Sequence, residues 1–151
     1  MDYVSAFAED FLRVAGIRCR MDFPAELPSL RVDAELRYNL FLALKEALNN
    51  VVKHARATQV WLRLRLEAKG LTLIVEDDGQ GLPATGAPPS GGRLNSGHGL
   101  PNLEERLAAV GGRCTVRSAP GQGTRVEMSV PLASVASPIV ATGQAAANGT
   151  K

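Results

Sequence analysis

Residues 45–54 read KEALNNVVKH, and the fold follows from how this stretch is laid out. Glu46, Asn50 and Lys53 recur at steps of four and three. On a helix turning roughly 100° per residue they fall within about 60° of one another. Leu40, Leu44, Ala47, Leu48, Val51 and Ala55 form a separate stripe, centred roughly on the opposite side. One helix therefore carries an apolar face for a core and a row of carboxylate, amide and ammonium for something else. A carboxylate can accept a proton or orient water, an amide oxygen can ligate a hard cation, and an ammonium can neutralise a phosphate. The trio suits a metal–nucleotide site, although a charged row by itself is also what a solvated helix face looks like.

Working outward, Asp33 is a good N-cap for this helix, which is expected to run to about Ala55. Upstream, Val4, Phe7, Ala8, Phe11, Leu12 and Ala15 have helical spacing, so residues 2–15 read as a helix stopped by Gly16. Ile17 to Phe23 alternates and reads as a strand. Pro24 to Leu30 holds two prolines and reads as a connector. Downstream, Val60 to Leu66 alternates, Lys69-Gly70 makes a tight turn, and Leu71 to Val75 follows, so the pair reads as a hairpin. From Leu82 to Gly99 there is almost nothing to bury, and the stretch is too long for an idle connection, so it reads as a mobile functional loop. Leu100 to Val110 is a helix ended by Gly111-Gly112. Arg113 to Ser118 and Thr124 to Val130 are strands around Ala119–Gly123. Residues 133–151, rich in Ala, Ser, Gly and Thr, read as a disordered tail.

Composition sets bounds. The chain has 151 residues, enough for one domain and not comfortably two. A formal net charge of +2 gives no strong pull toward nucleic acid or membrane. No apolar run approaches the roughly 20 residues needed to span a bilayer, and the first ten residues lack the pattern of a secretory signal. Cys19 and Cys114 are far apart without metal-type spacing, and read as two reduced thiols of a cytoplasmic domain.

Three more segments carry chemistry. Asp77-Asp78-Gly79-Gln80-Gly81 closes a hydrophobic strand; its glycines allow a sharp turn and a flat space for a planar group, and an aspartate there can accept from an exocyclic amine. Gly97-His98-Gly99-Leu100 opens a helix, and the amides of such a turn make an anion site. Gly121-Gln122-Gly123-Thr124 places a hydroxyl at a strand start. Each alone is also an ordinary acidic turn, a flexible loop or a simple hairpin.

In this order the four segments resemble the catalytic ATP-binding domain of two-component sensor histidine kinases, part of the wider GHKL group with its Bergerat fold. The match runs from about residue 17 to 132. KEALNNVVKHARATQV resembles the N box, VEDDGQGLP the D-x-G-x-G box, GHGLPNLEERLAAVGG the second glycine box of the nitrate-sensor-like subgroup, and PGQGTRVEMSVPL the terminal G-x-G-T strand pair. The resemblance implies an α+β fold: a two-layer α/β sandwich, a mixed sheet of about five strands with about three helices on one face. It implies one ATP-binding catalytic domain over residues 1–132, with an ATP lid at 82–99.

The resemblance also implies roles. Asp77 matches the aspartate that bonds the adenine amine, with Gly79 and Gly81 shaping the pocket. Asn50 matches the Mg²⁺ ligand, and Glu46 the catalytic glutamate that acts on water or the attacking group. Lys53 and His54 match phosphate- or ribose-facing positions. Gly97, His98, Gly99 and Leu100 match the lid hinge whose amides meet phosphates, and Thr124 the threonine near the base. The cofactors implied are ATP and Mg²⁺. The partners implied are a histidine-bearing dimerisation domain and a response regulator, without nucleic acid and without membrane insertion by this segment. Neither His54 nor His98 is placed as a phosphoacceptor, so the chain looks like a catalytic domain of a longer, membrane-bound sensor, working in the cytoplasm. Another GHKL activity, such as an anti-sigma-type serine kinase, or a non-catalytic nucleotide-binding interaction module, is the alternative.

Overall fold

In the computed structural model, which describes residues 2–25, 32–83 and 99–132, the alternating segments become one five-stranded sheet. Its strands are β1 (Arg18–Asp22), β2 (Gln59–Glu67), β3 (Gly70–Asp77), β4 (Arg113–Ser118) and β5 (Thr124–Pro131), in the spatial order β1-β2-β3-β5-β4. β1 runs parallel to β2 and every other pair is antiparallel. The parallel pair needs a crossover, and the long helix supplies it. The mixed sheet and its three helices are those expected from the sequence.

One face of the sheet is apolar by period-two alternation. Val60, Leu62 and Leu64 of β2, Leu71, Leu73 and Val75 of β3, and Val126, Met128 and Val130 of β5 are all buried. They share a single core with Ala8 and Leu12 of α1 (Asp2–Val14), with Leu36, Ala43, Leu44, Ala47 and Leu48 of α2 (Ala34–Asn50), and with Leu103 and Leu107 of α3 (Gly99–Ala108). Burying a leucine fully contributes about 1.5–3 kcal/mol, so this layer contact holds the fold together.

The helix ends follow local chemistry. α1 stops because Gly16 takes φ +73°, which lets its N–H reach the Arg13 carbonyl and the Ile17 N–H reach the Leu12 carbonyl. α2 begins where Asp33 accepts from the Leu36 N–H at 2.7 Å, as its cap position predicts.

Some boundaries differ from expectation. The central helix is α-helical only to Asn50, and Val51–Ala55 form one wide π turn ended by Arg56 in the left-handed region. The β2–β3 turn is Ala68-Lys69, with Gly70 already paired to Glu67. β3 extends to Asp77, which pairs with Val60 on one side and Thr124 on the other. The expected tail at 133–151, part of the connector, and most of the expected lid, with Gly97 and His98, lie outside the described residues.

Candidate functional site

Asp77 is the last residue of β3 and points to the helix side of the sheet, in line with Val75 and Leu73. It is only 5% exposed and, with Gln59, one of the two buried polar or charged side chains among the described residues. Its Oδ1 accepts from the Gly79 N–H at 2.8 Å. Burial pushes its carboxyl above the ordinary aspartate range; the N–H groups of Gly79 and Thr124 oppose this, and the nearby charges of Asp78 and Glu76 add to it. Asp78, one residue on, faces away. It accepts from the Thr58 N–H at 2.8 Å, the Thr58 hydroxyl at 2.6 Å and the Gln59 N–H at 2.9 Å, tying the start of β2 to the end of β3. Two adjacent aspartates thus have different work: one is set toward an interior space, the other is a staple.

The turn that follows is pressed against its neighbours. A Cβ on Gly79 would stand 2.2 Å from the Ala55 carbonyl oxygen, and one on Gly81 would stand 2.0 Å from that of Ala119. Only glycine allows these approaches. The contact with Ala55 explains the π turn. The Gln80 N–H donates to the Ala55 carbonyl at 2.7 Å and the Gln80 side chain donates to the His54 carbonyl at 2.7 Å, so carbonyls left over at the helix end are used across the seam.

A π turn closes on the fifth residue, so the step falls from roughly 100° to about 80° per residue. His54 then stays near the azimuth of Asn50, while Lys53 swings away. The cleft between the helix layer and the end of the sheet reflects this. It has a volume of about 200 Å³ and is lined by Asn50, His54, Asp77, Gly81, Leu100 and Thr124, with apolar walls that include Val51, Val75 and Val126. Of the residues picked out in the sequence, these six meet in one space. Gly79 does not line it but is pressed on Ala55 and bonded to Asp77, which do; Gly99 opens α3, and Glu46 is half-buried one turn upstream of Asn50 without lining it. Lys53 is exposed and does not line it either.

Sequence reading missed several members. Gln80, Leu82 and Pro83 also line the cleft. Ser118 holds its rim: its Oγ accepts from the Leu82 N–H at 2.7 Å and donates to the Gly123 carbonyl at 2.9 Å. The one signal that pointed to Ser118 was its place just before a glycine-rich turn, which says nothing of its partners.

The chemistry available is that of a polar slot with apolar walls. Val51, Val75 and Val126 give it apolar walls, and the Asp77 carboxyl is an acceptor at its edge. The start of α3 lies beside the cleft, and a helix N-terminus favours an anion. Among the described residues no group of three or more His, Cys, Asp or Glu side chains could hold a metal ion. The cleft offers the Asn50 amide instead. That donor set fits a hard cation that brings most of its shell as phosphate oxygens and water, as Mg²⁺ does.

Comparison with known proteins places the chain in a family. Residues 36–134 match the family described as histidine kinase-, DNA gyrase B-, and HSP90-like ATPase. The chain belongs to that family. A sensor-like histidine kinase of Chloroflexus aurantiacus, itself uncharacterized, is 36% identical over 110 residues, covering 72% of this chain and 18% of that protein. The signal transduction histidine-protein kinase/phosphatase UhpB of Salmonella typhimurium is 36% identical over 127 residues, covering 84% of this chain and 23% of that protein. The chain therefore spans about a fifth of the length of these relatives. Among solved structures, the histidine kinase domain of the Erythrobacter litoralis EL346 blue-light activated histidine kinase superposes with a TM-score of 0.67 at 26% identity, covering 87% of this chain and 60% of that one. The domain is an ATP-binding module of this family. No helix among the described residues is long and apolar enough to cross a membrane.

Proposed function

We propose that this chain is the catalytic domain of a sensor histidine kinase, which binds ATP with Mg²⁺ and presents the γ-phosphate to a histidine on a separate dimerisation domain. The phosphate then passes to an aspartate of a response regulator. The observation that carries the reading is the cleft itself: Asp77, Thr124, Asn50 and His54 line one space, with Leu100 at the start of α3.

In this reading Asp77 accepts from the adenine amine, and Gly79 and Gly81 keep the floor flat. Thr124 meets the base directly or through water. His54 faces the ribose or phosphates, while Lys53, turned away by the π turn, stays outside the cleft. The N–H groups of Gly99 and Leu100 meet phosphate oxygens. Asn50 would hold Mg²⁺, which when bound neutralises phosphate charge. Glu46 orients the attacking imidazole. The cleft is smaller than the roughly 300–1,000 Å³ of closed ligand pockets, so base and sugar enter it and the phosphates extend past Asn50. The domain is then part of a longer cytoplasmic assembly that supplies the acceptor.

The test is phosphoryl transfer. The domain is mixed with a histidine-bearing dimerisation domain and ATP labelled in the γ position. Acid-labile, base-stable label on the partner is the expected result. Phosphoserine on a partner would mean another kinase of the same family, and no heat of ATP binding at millimolar concentration would mean a non-catalytic module.

A further inference from the structure

Ser118 makes three contacts whose directions are fixed by chemistry alone. The Leu82 N–H can only donate, and it reaches Ser118 Oγ at 2.7 Å. The Gly123 carbonyl can only accept, and it lies 2.9 Å from the same atom. A serine hydroxyl has one proton and two lone pairs. Its proton is committed to Gly123 and one lone pair to Leu82. The third partner, Thr124 Oγ1 at 2.9 Å, must therefore donate to the remaining lone pair. Thr124 lines the cleft and Ser118 does not. With its proton turned toward Ser118, the Thr124 hydroxyl has only lone pairs left for the cleft.

We propose that Ser118 is a positioning residue that makes Thr124 an obligate hydrogen-bond acceptor and so sets the site for 6-amino over 6-oxo purines. This rests on the nucleotide reading of the cleft given above. Thr124 stands opposite Asp77 in the β3–β5 pairing. An ionised aspartate also only accepts. The base edge therefore meets two acceptors and no donor from this pair. An adenine amine has two N–H bonds to give, directly or through one water. The oxygen of a 6-oxo purine meets lone pairs on both sides and gains nothing. Without Ser118 the threonine proton is free to rotate into the cleft and donate to that oxygen.

The experiment is calorimetric binding of ATP and of inosine triphosphate, which carries a 6-oxo group in place of the amine, to wild type, Ser118→Ala, Ser118→Thr, Thr124→Val and the double variant Ser118→Ala/Thr124→Val. The expected result is an ATP preference that falls about three- to tenfold in Ser118→Ala, the worth of one hydrogen bond, mainly because inosine triphosphate binds better. Ser118→Thr keeps the hydroxyl and retains the preference. Adding Ser118→Ala to Thr124→Val changes the ratio no further, because Ser118 acts only through Thr124. A merely structural serine would weaken both nucleotides together and leave the ratio alone. That result, in a variant whose thermal unfolding stays cooperative, overturns the proposal. If Ser118→Ala does not fold, Thr124→Val decides: a lower ATP preference supports the proposal and an unchanged one overturns it. If wild type binds neither nucleotide, it is the reading of the cleft that fails.

Discussion

At the scale of single residues, Asp77 is set in a place that costs the fold stability. Its carboxyl sits above the ordinary aspartate range because it is buried, so the folded state holds its proton more tightly than the unfolded chain does. The sign follows: stability is lost as pH rises from the ordinary aspartate value through the raised one, and at neutral pH the folded protein bears the cost of an ionised, buried group. Asp77→Asn is therefore expected to raise the midpoint of thermal unfolding at neutral pH. In the proposed reading the same change puts an amide donor where the base needs an acceptor, and should cut the preference for ATP over inosine triphosphate by at least about tenfold, since bonds to charged groups contribute about 1.5–3 kcal/mol. Paired calorimetry and unfolding curves check both; a variant that loses selectivity and stability together would contradict the argument. Gly79→Ala tests the seam instead. Its methyl would stand 2.2 Å from a backbone oxygen that has no rotamer to move to. A loss of about 2–3 kcal/mol in urea unfolding, with weakened ATP binding, is expected.

At the scale of elements, the strands were legible and the seams between them were not. β2, β3 and β5 alternate cleanly because one sheet face is buried, and α2 shows both its cap and its stripe. The π turn left no such trace. It exists because the Ala55 and His54 carbonyls find Gln80, more than 20 residues later, and periodicity cannot report a partner that distant. The same holds for Ser118 with Leu82 and for Asp78 with Thr58. Of the site, Asn50, His54, Asp77, Gly81, Leu100 and Thr124 were legible in the sequence, while Gln80, Leu82 and Pro83, which also line the cleft, and Ser118 and Asp78, which hold it in shape, show only in contacts. The outer sheet face makes the point energetically. Ile74 is 1% exposed there, outside the main core, and is flanked in register by Arg63 and Glu127. Around it runs an ion-pair chain, Arg63–Glu76 at 2.7 Å, Glu76–Arg125 at 2.9 Å and Arg125–Glu127 at 2.7 Å. Burial alone would raise the Glu76 carboxyl, but the two guanidinium groups outweigh it and hold it below the ordinary glutamate range. A lowered carboxyl stabilises the fold above its unfolded value, and that contribution is lost as pH falls through the folded one. Glu76→Gln should cost about 1 kcal/mol near neutrality, as a half-exposed network does. It should cost little once acid has protonated the glutamate. Urea unfolding at the two pH values measures the difference; an equal loss at both would remove the electrostatic account.

At the scale of the whole molecule, the core and the cleft are coupled through α2. The face of that helix that carries Ala43, Leu44, Ala47 and Leu48 is packed on the sheet, and Asn50, at its end, borders the cleft. A ligand that touches Asn50 and Asp77 together bridges the helix layer and the sheet, the two halves that unfolding must separate. Nucleotide should therefore stabilise the entire domain, by about 2.7 kcal/mol at a hundredfold excess over Kd. The contribution of each side can be separated. In the proposed reading Asp77 meets the base and Asn50 holds Mg²⁺, so ATP alone should raise the unfolding temperature in Asn50→Ala nearly as in wild type. The further rise on adding magnesium should be seen in wild type and be absent in the variant. Thermal unfolding with ATP and chelator, then with ATP and excess magnesium, reads both increments in one protein. A magnesium increment that survives in Asn50→Ala would mean that the ion is held by the phosphates alone, and the helix end would then be a wall of the cleft with no part in binding the ion.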